Sequence, residues 1–287
     1  MIGVQWALDA SAGQWIVERT SGQFGGTVPD LLPAGFEAYV RVFHPFCRCR
    51  DGRSCEDASW AETAADFGTI MHPLAQSAGL LGAADPWSVG PVTSPSGWTY
   101  QAPSVGWMPK LQQVMPILAA HTTTASSAVA AIWEGWGSPV SSPGRGAWMI
   151  VAGGIQVGLL SRPLTWFRRV GWRCRDSAPR PGTGVLPADV VNGPKLELPG
   201  RSYILAHLSL DELAGDDWEQ SVLWANPPLT RTPSLLWPDD HAWMLATEID
   251  FDTALIGGSS ELAESLLKSP ELEVLEVPPT ADLRWRP

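Results

Sequence analysis

The chain has 287 residues, 45% of them apolar and 17% charged, with a formal net charge of −11. That much apolar surface excludes a disordered chain, and the lack of a Gly-X-Y period excludes collagen despite 28 glycines and 26 prolines. The charge is lopsided: residues 211–287 hold sixteen Asp and Glu against four Lys and Arg, a balance that repels a nucleic-acid backbone.

The first ten residues carry no Lys or Arg and include Asp9, so no secretory leader is expected. The longest apolar candidate, Gly146 to Ser161, is sixteen residues, short of the ~20 that span a bilayer. The expectation is a cytoplasmic protein that does not cross a membrane.

In chain order, Trp6 and Trp15 lie in a stretch without a clear period, and residues 29–35 form a turn-rich lead-in. Phe36 to Phe43 (FEAYVRVF) reads as a strand, being rich in aromatic and β-branched residues. Asp57 to Phe67 reads as a helix capped by Asp57 and stopped by Gly68, with Trp60, Ala64 and Phe67 on one face. Residues 83–109 are dense in Pro, Gly, Ser and Trp and read as a long loop. Lys110 to Ala120 is a helix that Pro116 should kink. Ala128 to Trp133 reads as a buried strand, and a hairpin is expected around Gly153-Gly154. Residues 176–201 are again rich in Pro and Gly.

Ser202 to Leu208 is a strand, Asp211 to Glu219 a short acidic helix, and Ala242 to Glu248 a further strand. A short run, Thr253 to Ile256, is followed by Gly257-Gly258 as a turn. Ser259 caps a helix from Ser260 to Lys268, and Leu272 to Val277 closes the series. Strands and helices alternate irregularly, without a βαβ series. The fold class is therefore α+β: a single domain with a mixed, mainly antiparallel sheet and a few helices, with room for an inserted Pro/Gly/Arg/Trp-rich subdomain at about 138–198.

Five groups of residues carry candidate chemistry. His44, Cys47, Cys49 and Cys55 offer the imidazole and thiolates that zinc prefers, with His72 downstream. Arg48, Arg50 and Arg53 would favour the thiolate forms. The alternatives are ordinary cysteines in a loop, or a reactive thiol. In a reducing cytoplasm a disulfide is not expected. His44-Pro45 and His72-Pro73 hold two imidazoles on extended backbone, as a metal or acid–base pair or as loop anchors. His121 ends the helix before three threonines, and Glu134 sits between Trp133 and Trp136 where a carboxyl could serve as a general acid.

Asp239 and Asp240 precede His241, and Glu248, Asp250 and Asp252 would share one side if the strand continues. These acids suit a hard cation, an acidic docking face for a basic protein partner, or a charged strand edge. Trp87, Trp98 and Trp107, from a total of sixteen tryptophans, would line a pocket or patch. No Gly-x-Ser-x-Gly elbow, His-Glu-x-x-His pair, P-loop or kinase signature is present.

As an ordered set, FEAYVRVFHP, WAETA, HTTT, WEGWG and LPGRSYIL resemble a family of uncharacterised actinobacterial proteins. The closing block Leu236-Trp237-Pro238-Asp239-Asp240-His241-Ala242-Trp243, followed by Ala246-Thr247-Glu248-Ile249-Asp250, is the most specific part. The likeness spans about residues 30–135 and 199–278 and implies a shared fold and role. The cysteine cluster and the stretch from Ser138 to Pro194 depart from that pattern. The strand–Gly–helix–strand ending also resembles toxin-binding immunity proteins of the SMI1/KNR4 group. Together these readings favour a non-enzymatic protein-binding module with an acidic docking face. The rival is an enzyme with a Trp-lined pocket that works through His44, His72, His121 and Glu134.

Overall fold

The computed structural model describes residues 4–23, 25–50, 54–83, 90–103, 108–136, 186–215, 218–222, 224, 232–248 and 251–284. Its strands are β1 (Gln5–Trp6), β2 (Ala38–Phe43), β3 (Phe46–Arg50), β4 (Ser54–Ala58), β5 (Val92–Thr93), β6 (Thr99–Gln101), β7 (Ala128–Trp133), β8 (Leu196–Leu198), β9 (Arg201–Leu208), β10 (Leu235–Pro238), β11 (Met244–Ala246), β12 (Thr253–Gly258) and β13 (Glu273–Glu276). Its helices are α1 (Gln14–Arg19), α2 (Val28–Leu31), α3 (Trp60–Phe67), α4 (Ser77–Leu80), α5 (Leu111–Ala120), α6 (Ala188–Val191), α7 (Asp211–Ala214), α8 (Trp218–Ser221) and α9 (Ser260–Leu267). The chain is α+β, and every strand pairing described is antiparallel.

The run AVAAIW of β7 is apolar throughout because both its faces are covered. Alternate side chains leave a strand on opposite faces. Ala128, Ala130 and Ile132 join a core with Leu111, Leu118 and Leu262 from α5 and α9. Val129 and Ala131 join a second core with Trp15, Ile16 and Val28. The same division runs across the nine-stranded sheet, in the order β1-β9-β7-β10-β11-β12-β2-β13 with β8 also on β9.

After His44-Pro45 the chain leaves β2 for a second sheet, β4-β3-β6-β5, whose core is Phe43, Phe46, Trp60 and Tyr100. The residues read as a loop around Cys47 are thus a hairpin. Helix α3 begins later than expected, because Ser59 is its cap and Asp57 belongs to β4. The Ser59 hydroxyl accepts from Glu62 N–H at 3.1 Å, and the Glu62 carboxylate accepts from Ser59 N–H at 2.9 Å. Gly68 ends the helix at φ 68°.

Gly257 and Gly258 do not turn the chain. They continue β12, and a Cβ on Gly257 would come within 2.5 Å of the Phe36 ring, while one on Gly258 would come within 2.6 Å of Leu262. Here the glycines permit close packing on a buried strand. The expected strand from Ala242 to Glu248 is shorter, Met244–Ala246, and the single acidic helix after Asp211 is two short ones. Within the stretch read as one long loop lie β5 and β6. No helix among the described residues is long and apolar enough to cross a membrane. The hairpin expected near Gly153-Gly154, most of the stretch at 138–198, and Arg53, Trp87, Trp107, Cys174 and Asp250 lie outside the described residues.

Candidate functional site

Two ends of the large sheet concentrate polar groups. At the first, β9 begins with Arg201 and Tyr203, β7 ends at Trp133, and Glu248 follows β11. Arg201 donates to the Glu248 carboxylate, and its guanidinium stands 4.4 Å from the Trp133 ring centroid. Both ionic side chains are nearly buried, at 12% and 10% exposure, so the pair is held in a low-dielectric setting. Burial, followed by the Glu248 charge, pushes the Tyr203 hydroxyl well above its ordinary pKa. The Ser234 hydroxyl accepts from Trp133 N–H at 3.3 Å and Trp136 Nε1–H at 3.2 Å. The Thr247 hydroxyl donates to the Pro233 carbonyl at 2.8 Å.

Thr20, Asp30 and Leu31 face these residues across a cleft that encloses about 30 Å³. Within this cleft Arg201 and Glu248 are paired with each other.

The four groups of the enzyme reading do not meet. His44 is buried at the end of β2, where its carbonyl accepts from Trp60 Nε1–H at 2.7 Å. His72 Nδ1 accepts from Leu74 N–H at 3.2 Å in the loop before α4. His121 ends α5, with Nδ1 2.8 Å from the Ile117 carbonyl and Nε2 3.2 Å from the Ser265 hydroxyl of α9. Glu134 pairs with Lys195 at 2.6 Å beside the end of β7. Three strands lie between β7 and β2, which puts Glu134 and His44 about 19 Å apart at ~4.8 Å per strand. Trp98 is flanked by Arg48 and Arg50 at 5.0 and 4.6 Å.

Cysteines behave differently from the expectation. Cys49 and Cys55 face one another across the β3–β4 hairpin and form a disulfide. Cys47 remains a thiol, and the three sulfurs lie within 4.8 Å of one another, so the group could hold a metal once the bond is open. His44 is not in that group.

The acidic residues divide between the two ends. Glu248 is taken up by Arg201. Asp252 stands 3.8 Å from Arg41 and is 14% exposed. The strand does not continue through both, because β11 stops at Ala246 and β12 starts at Thr253.

At the opposite end, the β10–β11 turn presents Asp239 and Asp240, both exposed. Asp239 accepts from the Ser127 hydroxyl. Asp240 accepts from Thr123 N–H and both threonine hydroxyls, Thr122 at 2.8 Å and Thr123 at 2.7 Å, and from Ala242 N–H at 3.1 Å. Partial burial raises the Asp240 pKa, but the hydrogen bonds from Thr123, Thr122 and Ala242 outweigh it and hold the carboxyl below its ordinary 3.8. His241, at φ 55°, completes the turn and stacks on Trp15 with centroids 4.4 Å apart.

A depressed folded-state pKa gives stability that is present above 3.8 and lost as pH falls through the folded value. Asp240→Asn should therefore destabilise the protein at pH 6, and the gap to the parent should close as pH drops below about 3.8, measured by urea midpoints across pH. A gap independent of pH would contradict the assigned role.

Sequence reasoning passed over Arg201 and Tyr203, and counted Arg41 only as part of a basic stretch although it is buried. Arg41 left a signal: it is the one charged residue in the apolar run AYVRVF, and a charge inside a buried strand calls for a partner. Arg201, at a strand start, left none. Compared with protein-family models, with curated proteins and with solved structures, the chain matches none.

Proposed function

We propose that the chain is a cytoplasmic, non-catalytic protein-binding module of the immunity type, and that the acidic end of its sheet docks a basic partner. The observation that carries the reading is the state of Asp239 and Asp240. Both are exposed and fixed on a tight turn, and hydroxyls and backbone N–H groups hold them rather than cations. Among the described residues, no ion pair neutralises either one.

Two more carboxylates belong to this end. Glu37, just before β2, accepts from Ser260 N–H at 2.9 Å, and Glu261 is exposed in the first turn of α9. Fixed, unneutralised charge steers an oppositely charged protein and sets its register. Glu248 and Asp252 drop out of the docking face because arginines occupy them. The rival reading, an enzyme using His44, His72, His121 and Glu134, needs those groups to converge, and each is held on a separate element. Compatible with either reading, zinc at the cysteine trio would stabilise the small sheet once the Cys49–Cys55 bond is open.

The test is affinity capture from lysate of the host organism at low and high salt, with a variant carrying Asp239→Asn, Glu37→Gln and Glu261→Gln. The expected result is one stoichiometric basic protein that high salt releases and the variant fails to retain. Equal capture by the variant would remove the acidic end from the interface.

A further inference from the structure

On β3, side chains alternate between two faces. Arg48 and Arg50 leave on the side of Trp98. Cys47 and Cys49 leave on the other, where Cys55 stands opposite Cys49 and Asp57 opposite Cys47. Three sulfurs and a carboxylate thus share the outer face of a two-stranded hairpin. Tetrahedral zinc with Zn–S bonds of about 2.3 Å sets its sulfurs roughly 3.8 Å apart. The three Sγ atoms already lie within 4.8 Å of one another, so modest side-chain rotation closes the set.

We propose that the Cys49–Cys55 disulfide masks a thiolate site for zinc, formed by Cys47, Cys49 and Cys55, and that the site opens on reduction. The inference deepens the zinc reading given above and rests on it.

The chemistry balances as follows. An external dithiol delivers two electrons and two protons to the disulfide, which becomes two thiols while the dithiol becomes a disulfide. The divalent cation then displaces three protons from Cys47, Cys49 and Cys55. Three thiolates around the divalent cation leave the centre with a net charge of −1. Burial, and after it the Asp57 charge, push the Cys47 thiol up from its ordinary value. Lys110, 3.9 Å from Asp57, stands at the rim. Oxidation would expel the metal, because Cys49 and Cys55 cannot bond to each other and to zinc at once.

The test uses the full chain carrying Cys174→Ser, so that only the trio titrates, with Co²⁺ as the probe. After reduction by a phosphine, Co²⁺ should give thiolate-to-metal charge-transfer absorption saturating at one equivalent, and Zn²⁺ should abolish it. The oxidised chain should show none. Cys47→Ser should sharply weaken Co²⁺ binding, because one of the three thiolates is lost. Its near-UV circular dichroism in the oxidised state should match the parent, which separates lost ligation from lost folding. Equal binding by oxidised and reduced chains would overturn the redox gate and leave the zinc reading standing. Absence of charge transfer in the reduced chain would overturn both. Unchanged affinity in Cys47→Ser would remove the third ligand and with it the proposed site.

Discussion

Arg41→Met is expected to lower the unfolding free energy by about 4 kcal/mol, the order found when one member of a buried charge pair is removed. The Arg41 side chain is 2% exposed. Burial depresses its pKa, the Asp252 carboxylate partly restores it, and the result is about 10. Its guanidinium donates to the Thr253 hydroxyl at 2.9 Å, the Pro73 carbonyl at 3.0 Å and the Ala75 carbonyl at 2.7 Å. It also lies 4.8 Å from the Phe43 ring centroid and 5.6 Å from that of Trp60.

One side chain therefore ties the large sheet to the loop before α4. Methionine keeps much of the volume but leaves two carbonyls without that donor and Asp252 without its counter-charge. Asp252→Asn alone should cost less, about 2 kcal/mol, because the carboxylate is partly wet and the remaining acceptors still hold Arg41. The double variant should cost clearly less than the sum of the singles, as coupled partners do. Urea unfolding followed by far-UV circular dichroism reads all three, and simple additivity would show that the pair does not act as a unit.

Trp60→Ala is expected to cost about 4 kcal/mol, in the range for a large aromatic removed from a packed core. Trp60 is fully buried between Phe43 and Phe46, with ring centroids 4.9 and 5.3 Å away. Its backbone N–H donates to the Glu273 carboxylate, which links α3 to the edge strand β13.

A sharper test is the conservative change to phenylalanine at two tryptophans of equal burial. The Trp60 indole N–H donates to the His44 carbonyl at 2.7 Å. The Trp237 indole N–H meets no acceptor among the described residues. Both changes lose similar apolar area, but only Trp60→Phe also breaks a hydrogen bond. Removing an unpaired buried donor at Trp237 gives back part of its desolvation cost. Trp60→Phe should therefore be more destabilising than Trp237→Phe by about 2 kcal/mol. Equal costs would mean that the His44 bond contributes nothing net.

The acidic end and the cleft end differ in how readable they were. Strand β7 announced itself through AVAAIW, and helix α9 through Ser259 followed by leucines at helical spacing. The fate of the acids did not. Asp239 and Asp240 keep their charge in the open, whereas Glu248 and Asp252, just as acidic on paper, are consumed by Arg201 and Arg41. Nothing near Asp252 in sequence marks Arg41 as its partner. The two meet only because β12 pairs with β2, in a register that sets Leu255 opposite Arg41 and Thr253 opposite Phe43.

The cysteines give the same lesson at shorter range. Their clustering was visible, but whether they bond to each other or to a cation depends on a hairpin register that puts Cys49 directly across from Cys55. Sequence alone determined the α+β class, six of the thirteen described strands (β2, β7, β9, β11, β12 and β13), the Ser259 cap of α9 and the Gly68 stop of α3, because periodicity and capping act over a few residues. Tertiary structure alone decided which charges are spent, which histidines stay apart and which sulfurs meet. Those outcomes follow from pairings between segments distant along the chain, which no local pattern encodes.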